Sequence, residues 1–315
     1  MSRVKSFAAA FGLAASLSCG TALAQDAASC ETVRFADVGW TDITATTATA
    51  SVILEALGYA PETQVLSVPV TYASLKNKDI DVFLGNWMPT MEADIAPYRE
   101  DGSVETVVTN LEGAKYTLAV PKHTYDAGLQ SFEDIAEFSE QLDGKIHGIE
   151  PGNDGNRLIL EMIEGDKFGL KDFEVVESSE AGMLSAVTRA AGSQEHIVFL
   201  GWEPHPMNAN VEMEYLAGGD EVFGPNFGGA TVHTNTRAGY ATECPNVGKL
   251  LSNMVFSLEM ENEIMGAILN DGEDAEAAAT EWLKANPDAV QPWLEGVTTR
   301  DGGDAAAAVT AAIAG

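Results

Sequence analysis

The sequence predicts an α/β protein of two lobes with largely parallel sheets. Strand and helix patterns alternate along most of the chain, which is typical of this class. The chain has 315 residues, more than one hydrophobic core usually organises, and 45% hydrophobic residues are enough for two cores. No Pro-rich or Ser-rich linker divides it, so we expect strands that cross between the lobes to join them.

The elements follow from hydrophobic periodicity and from turn residues such as Gly58. Strands are predicted at residues 32–38, 64–68, 80–84, 116–120, 145–149, 173–176, 196–200 and 231–234. Helices are predicted at residues 45–57, 132–142, 157–163, 247–269 and 275–284. The last part of the chain is therefore helix-rich, and its Gly- and Ala-rich tail at 301–315 is assigned no function.

Two places are predicted as crossings between the lobes, near residues 112–115 and 228–231. One lobe then comprises residues 25–112 plus 231–315, and the other comprises residues 113–230. This division brings both ends of the mature chain into the same lobe.

The N-terminus has the features of a secretory signal peptide. Arg3 and Lys5 precede an apolar run, and Ala-Leu-Ala ends at Ala24, so residues 1–24 are predicted to be removed on export to the periplasm. A lipoprotein would use Cys19, but its upstream Ser-Leu-Ser has the bulky residue in the wrong place, so a soluble mature protein is favoured. No later segment has the roughly 20 consecutive apolar residues of a membrane span.

The predicted mature chain is strongly acidic. Removal of Arg3 and Lys5 leaves 15 basic against 48 acidic residues, a formal charge of −33. This charge disfavours nucleic acid and anionic lipid as partners, and it favours cationic ligands only as a secondary inference. Export also leaves Cys30 and Cys244 in an oxidising compartment, where one disulfide is the simplest pairing and two buried thiols are the alternative.

One short pattern occurs three times: an apolar strand, a glycine, a tryptophan and a polar residue. Its glycines and tryptophans are Gly39 with Trp40, Gly85 with Trp87, and Gly201 with Trp202. Ligands of parallel α/β sheets bind beyond the carboxyl ends of strands, where such tryptophans would converge. A single tryptophan of this kind more often seals a strand end, but three in the same context favour a ligand site.

Aromatic faces attract a diffuse positive charge that has no hydrogen to donate, as in a quaternary ammonium group. Tyr116, at the start of a predicted strand near a crossing, is a candidate fourth wall. Trp282 and Trp293 lie among ordinary amphipathic spacing and are interpreted as packing residues. Sugars also stack on tryptophan, so the polar residues must distinguish the ligand classes.

Two polar residues are candidates for that role. Asp42 follows Trp40 by two residues, and its carboxylate would favour a cationic ligand and disfavour a ligand carboxylate. Capping of the following helix is an equally good interpretation of Asp42. Asn153 precedes a predicted helix and either caps it or meets a ligand hydroxyl. Its loop lacks the glycine pattern and the lysine of a phosphate-binding loop.

Patterns for catalysis or metal binding are weak. The sequence Glu203-Pro-His205-Pro has no matching His or Cys pair, and the five histidines are scattered, which argues against zinc. No Gly-x-Ser-x-Gly motif occurs, and nothing singles out a carboxylate pair for glycoside hydrolysis. We therefore expect neither an enzyme nor a cofactor.

Four stretches, residues 37–42, 83–90, 149–157 and 199–206, resemble the choline-binding receptors of bacterial ABC importers, within the wider family of glycine betaine and choline receptors. The resemblance covers essentially the whole mature chain. It implies a two-lobed periplasmic-binding-protein fold, with the ligand in the interlobe cleft and a disulfide between Cys30 and Cys244. It also implies that four aromatic side chains surround a trimethylammonium group, while two polar ones contact the choline hydroxyl: Trp40, Trp87, Tyr116 and Trp202, then Asp42 and Asn153.

The implied mechanism is closure of a hinge around choline, followed by docking on a membrane permease driven by an ATPase. The receptor is expected to be a monomer that meets the membrane only through this permease. A glycine betaine or carnitine receptor is the first alternative, and it would need a donor for the ligand carboxylate, such as Arg157 or a backbone amide. A secreted hydrolase of choline esters is the second alternative.

Overall fold

The computed structural model describes residues 26–314, in which nine strands form one mixed sheet. The strands are β1 Thr32–Asp37, β2 Ala60–Val65, β3 Val82–Met88, β4 Val104–Pro121, β5 Lys145–His147, β6 Glu174–Val176, β7 Phe199–Glu203, β8 Met213–Tyr215 and β9 Gly229–Arg237. Their order is β2-β1-β3-β9-β4-β7-β5-β6, and β8 pairs with β4. The α/β class is confirmed.

Helices connect the strands and cover the sheet. They are α1 Thr41–Ala56, α2 Val68–Asn77, α3 Glu92–Glu100, α4 Lys122–Asp126, α5 Asp154–Glu164, α6 Glu180–Ser193, α7 Met207–Asn210, α8 Asp220–Phe223, α9 Pro225–Gly228, α10 Tyr240–Glu243, α11 Pro245–Asn253, α12 Leu258–Leu269, α13 Ala275–Ala285, α14 Pro287–Val290 and α15 Ala305–Ala314. Short 3-10 helices cover Ala28–Cys30, Phe132–Phe138 and Lys167–Gly169.

Strand direction differs between the ends and the middle of the sheet. Pairing is parallel within β2-β1-β3 and within β7-β5-β6, as predicted, but β9 pairs antiparallel with β3 and β4, and β4 pairs antiparallel with β7 and β8. The strand β4 spans 18 residues and takes part in both halves of the sheet. It pairs with β9 up to Lys115 and with β7 from Lys115 onward. The lobe boundaries themselves stay a prediction.

Several predicted boundaries are corrected. The first helix begins at Thr41 instead of residue 45, and the predicted strand at 64–68 is β2 at Ala60–Val65. The predicted helix at 247–269 is two helices, because Ser257 caps α12 by accepting a hydrogen bond from the Met260 amide at 3.1 Å. The predicted helix at 132–142 is the 3-10 helix Phe132–Phe138.

A disulfide joins Cys30 to Cys244, with 5.7 Å between the two Cα atoms. The predicted pairing is confirmed, and the alternative of two free thiols is wrong. Beside it, the Asp26 carboxylate accepts hydrogen bonds from the amides of Asn246 at 2.8 Å and Val247 at 3.2 Å. The start of the described chain is therefore fastened to the segment that begins α11, far along the sequence.

Within residues 26–314, every helix is too short or too polar to span a bilayer. The predicted signal peptide at 1–24, including Cys19, lies outside the residues that the structure describes.

Candidate ligand-binding site

One buried cavity lies where the two halves of the sheet meet. It is lined by Trp40, Asp42, Trp87, Tyr116, Ile149 and Trp202. Each of these six residues is at most 6% exposed to solvent. Five of the six residues predicted for the site therefore line one cavity, although they come from four separate parts of the chain.

The three tryptophans reach the cavity in two ways. Trp40 lies past the end of β1, after Gly39 at φ +82°, and is the N-cap residue of α1, as the strand-end prediction requires. Trp87 and Trp202 lie within β3 and β7, so the prediction that they follow their strands is wrong. Tyr116 in β4 pairs directly with Trp202 in the sheet.

Gly85 and Gly201 permit close packing and do not form turns. A Cβ atom at Gly85 would lie 2.6 Å from Ile43 Cδ1, and one at Gly201 would lie 2.9 Å from Ala119 Cβ. Both distances are shorter than van der Waals contact, so the strands that carry Trp87 and Trp202 need glycine to approach their neighbours.

The rings that line the cavity meet edge to face. Ring centroids are 6.0 Å apart for Trp87 and Tyr116 at an interplanar angle of 61°, and 6.2 Å apart for Tyr116 and Trp202 at 83°. Phe223 supports the other side of Tyr116 at 6.0 Å. Aromatic pairs prefer such geometries, so the ring contacts stabilise one another.

Asp42 is the carboxyl group of the cavity. Its Oδ2 accepts a hydrogen bond from Trp87 Nε1 at 3.0 Å, whereas the buried Oδ1 has no partner among the described residues. The helix-capping interpretation is wrong, because α1 begins one residue earlier and Trp40 occupies its N-cap. Burial and then the negative charge of Glu180 raise the pKa of Asp42 to about 8, against the lowering effect of the Trp87 hydrogen bond. Glu261, buried in α12, is a further acid that interacts with it.

Asn153 lies behind the wall of the cavity instead of lining it. Its Oδ1 accepts a hydrogen bond from the Asn156 amide at 2.9 Å, so Asn153 caps α5. Capping was one of the two interpretations of this residue. The same oxygen accepts from the Tyr116 hydroxyl at 3.4 Å. Asn153 therefore holds an aromatic wall, and its contact with a ligand hydroxyl stays a prediction.

Sequence reasoning missed Ile149, Glu150 and Glu180, which lie beside the predicted site residues. Ile149 and Glu150 lie in a stretch that carried the family resemblance, which was the available signal, and Ile149 lines the cavity. Glu150 accepts from Trp40 Nε1 at 3.0 Å. Glu180 had no signal, since its hydrogen bonds to Thr41 join residues 139 positions apart.

Arg157, the proposed donor to a ligand carboxylate, is engaged elsewhere. Its Nη2 donates to the Thr90 carbonyl at 2.8 Å and lies 3.0 Å from Asp94 Oδ2, while its Nη1 lies 3.1 Å from Glu161. Among the described residues, no lysine, arginine or histidine lines the cavity. The cavity therefore presents aromatic faces and a carboxyl group.

A family model described as the substrate binding domain of ABC-type glycine betaine transport systems matches residues 31–285. The chain belongs to this family. One family relative, the glycine betaine/carnitine transport binding protein GbuC of Listeria monocytogenes, is 30% identical over 174 residues. That match covers 55% of this chain and 57% of GbuC. Proteins of this family are transport binding proteins and not enzymes, so the prediction of a non-enzyme is confirmed.

Two solved structures of an ABC-transporter choline binding protein are 72% identical to this chain, and each match covers 90% of this chain and 99% of the other. The TM-score is 0.90 for the complex with choline and 0.83 for the unliganded semi-closed conformation. The two-lobed binding-protein fold is confirmed.

Proposed function

We propose that this family member is the choline receptor of an ABC importer. The observation that carries the proposal concerns the described residues 26–314: Asp42 Oδ1 has no hydrogen-bond partner among them, and none of their basic side chains lines the aromatic cavity. A ligand that fits these groups combines a positive charge without hydrogen-bond donors with one hydroxyl donor. Choline has both.

The aromatic walls supply most of the affinity in this account. A desolvated ring contributes on the order of 1–2 kcal/mol to a cation over its face. Four rings together support micromolar binding or better once the cost of ordering the ligand is met. The proposed ligand-binding residues are Trp40, Asp42, Trp87, Tyr116, Asn153 and Trp202.

Choline is favoured over glycine betaine by the charge of the site. A betaine would place its own carboxylate near Asp42, which opposes ionisation of the Asp42 carboxyl, and among the described residues no lysine, arginine or histidine lines the cavity to bind that carboxylate. Arg157, which would be the compensating donor, is bound to Thr90 and Asp94. The choline-bound neighbour at 72% identity supports the same choice.

We extend this proposal to the transport cycle in which the receptor takes part. Residues 25–112 plus 231–315 form one lobe and residues 113–230 the other, and the strands β4 and β9 connect them as a hinge. The signal peptide at 1–24 directs the monomeric protein to the periplasm, where ligand closes the lobes. The closed form then docks on a permease driven by an ATPase, which is the arrangement that family membership supports.

A thermal-shift experiment with a panel of ligands tests the proposed function. At 100 times its Kd, a ligand that binds only the native state stabilises it by about 2.7 kcal/mol, so choline should raise the Tm by about 5 °C. Carnitine, glycine betaine and maltose at the same concentration should give smaller shifts or none. In Asp42→Asn, the choline shift should shrink while any betaine shift grows. A betaine shift without a choline shift would refute the choice of choline.

A further inference from the structure

The N-terminus of α1 is capped by a residue far away in the sequence. Trp40 is the N-cap residue and makes no side-chain capping bond. Instead Glu180 Oε2 accepts from the Thr41 amide at 2.9 Å, and Glu180 Oε1 accepts from the Thr41 hydroxyl at 2.6 Å. Thr41 is 9% exposed and Glu180 is 3% exposed. A carboxylate at the start of a 16-residue helix is favourable because exposed amides and the helix dipole both attract it.

The two partners belong to different lobes in the proposed division. Thr41 follows β1 in the first lobe, and Glu180 begins α6 in the second. A second contact across the cleft runs beside it, from Trp40 Nε1 to Glu150 Oε2 at 3.0 Å. Glu150 Oε1 in turn accepts from the Glu180 amide at 3.0 Å, so the segment that carries Glu180 also holds the Glu150 carboxyl group in place.

Glu180 also contacts His205, which packs against the cavity residue Trp202. The Met207 amide donates to His205 Nδ1 at 2.9 Å, which places the proton of a neutral His205 ring on Nε2. This Nε2 lies 3.2 Å from Glu180 Oε1, and the His205 ring contacts Trp202 with centroids 4.8 Å apart. One carboxylate therefore links the segment that carries Trp40 and Asp42 to the ring of Trp202.

We propose that Glu180 is the positioning residue that latches the closed form, and that its engagement depends on the positive charge of the ligand. Engagement brings Glu180 near Asp42, and Glu150 of the same proposed lobe lies beside Glu180, so acidic side chains face one another across the cleft. Without a cation their repulsion opposes closure, and with a cation between the walls the attraction offsets it. This inference rests on the proposed capture of a cation.

The test compares Glu180→Gln, Glu180→Ala and Thr41→Ala by stopped-flow tryptophan fluorescence with choline. Loss of the latch should raise koff about tenfold in Glu180→Ala, which corresponds to about 1.4 kcal/mol, and should leave kon nearly unchanged because closure follows encounter. Thr41→Ala should give a several-fold increase. Glu174→Gln, an exposed residue of β6, removes the same charge and serves as the matched control.

The pH profile separates a latch from a merely structural role. The groups that interact with Asp42 are Glu180 in α6, Glu261 in α12 and Tyr116 in β4. In the wild type, choline affinity should fall as the pH falls through the pKa of Asp42, because the protonated side chain no longer attracts the cation. Glu180→Gln should move that fall to lower pH, whereas Thr41→Ala and Glu174→Gln should leave it in place.

The outcomes are distinct. If the wild type binds choline but Glu180→Gln and Thr41→Ala change neither koff nor the pH profile, the latch is wrong and the proposed function stands. If only the Tm of Glu180→Gln falls, Glu180 is structural. If the wild type does not bind choline, the proposed function fails and the latch fails with it. Should Glu180→Ala not fold, Glu180→Gln and Thr41→Ala decide the question.

Discussion

Trp202→Ala is expected to cause the largest loss of choline affinity of any single change outside Asp42. One desolvated ring contributes about 1–2 kcal/mol to a cation, so the cation–π interaction alone accounts for a loss of about fivefold to thirtyfold. The ring also contacts Tyr116 and His205, so its removal loosens two neighbours and admits water, which adds to the loss. Isothermal titration of the folded variant with choline measures the effect.

Two matched variants control this experiment. Trp202→Phe keeps an aromatic face and should lose less affinity than Trp202→Ala, which separates the ring from the rest of the side chain. Trp282→Ala removes a tryptophan of α13 whose Nε1 binds Glu263 at 2.7 Å, away from the cavity, and should leave the Kd unchanged. An unchanged Kd in Trp202→Ala would contradict the aromatic cage.

Removal of the disulfide between Cys30 and Cys244 is expected to cause a large loss of stability. It joins residues 214 positions apart, and a long closed loop removes much entropy from the unfolded chain, up to about 5 kcal/mol in the chain-entropy model. Cys30→Ala with Cys244→Ala should therefore lower the free energy of unfolding by about 2–5 kcal/mol, and the Tm by about 4–10 °C.

Calorimetry of the double variant, compared with the wild type with and without reductant, tests this expectation. Produced from residue 25 onward, without Cys19, the double variant has no free thiol to react, so any difference from the reduced wild type reports on the replacement of the two thiols by alanine. Choline affinity measured well below the Tm should be unchanged, because the bridge lies outside the cavity. Equal Tm values with and without the bridge would show that it contributes nothing.

The sequence allowed correct prediction of those structural features that a local pattern determines. Alternation of strand and helix identified the fold class, and the repeated Gly-Trp pattern identified three cavity tryptophans. The pattern did not reveal that Trp87 and Trp202 lie inside their strands, since β3 and β7 extend past the apolar residues that marked them. The break before α12 was missed because the capping Ser257 lies within a continuous helical periodicity.

Contacts between distant parts of the chain could not be predicted in this way. Glu180 caps α1 over a separation of 139 residues, and nothing in its own segment distinguishes it from other acids at helix starts. The environment of Asp42 was equally hidden, because its raised pKa depends on burial in the folded chain and on Glu180. Local periodicity in the sequence reveals neither the capping of α1 by Glu180 nor the environment of Asp42.

The central claim is that a positive charge held by aromatic faces drives binding, and a neutral isostere of choline tests it most directly. In 3,3-dimethylbutan-1-ol a carbon atom replaces the nitrogen, so shape and hydroxyl are kept and only the charge is lost. Isothermal titration should give micromolar or tighter binding for choline and at least about a hundredfold weaker binding for the alcohol, from several rings at about 1 kcal/mol each. Equal affinities for the two compounds would contradict the account.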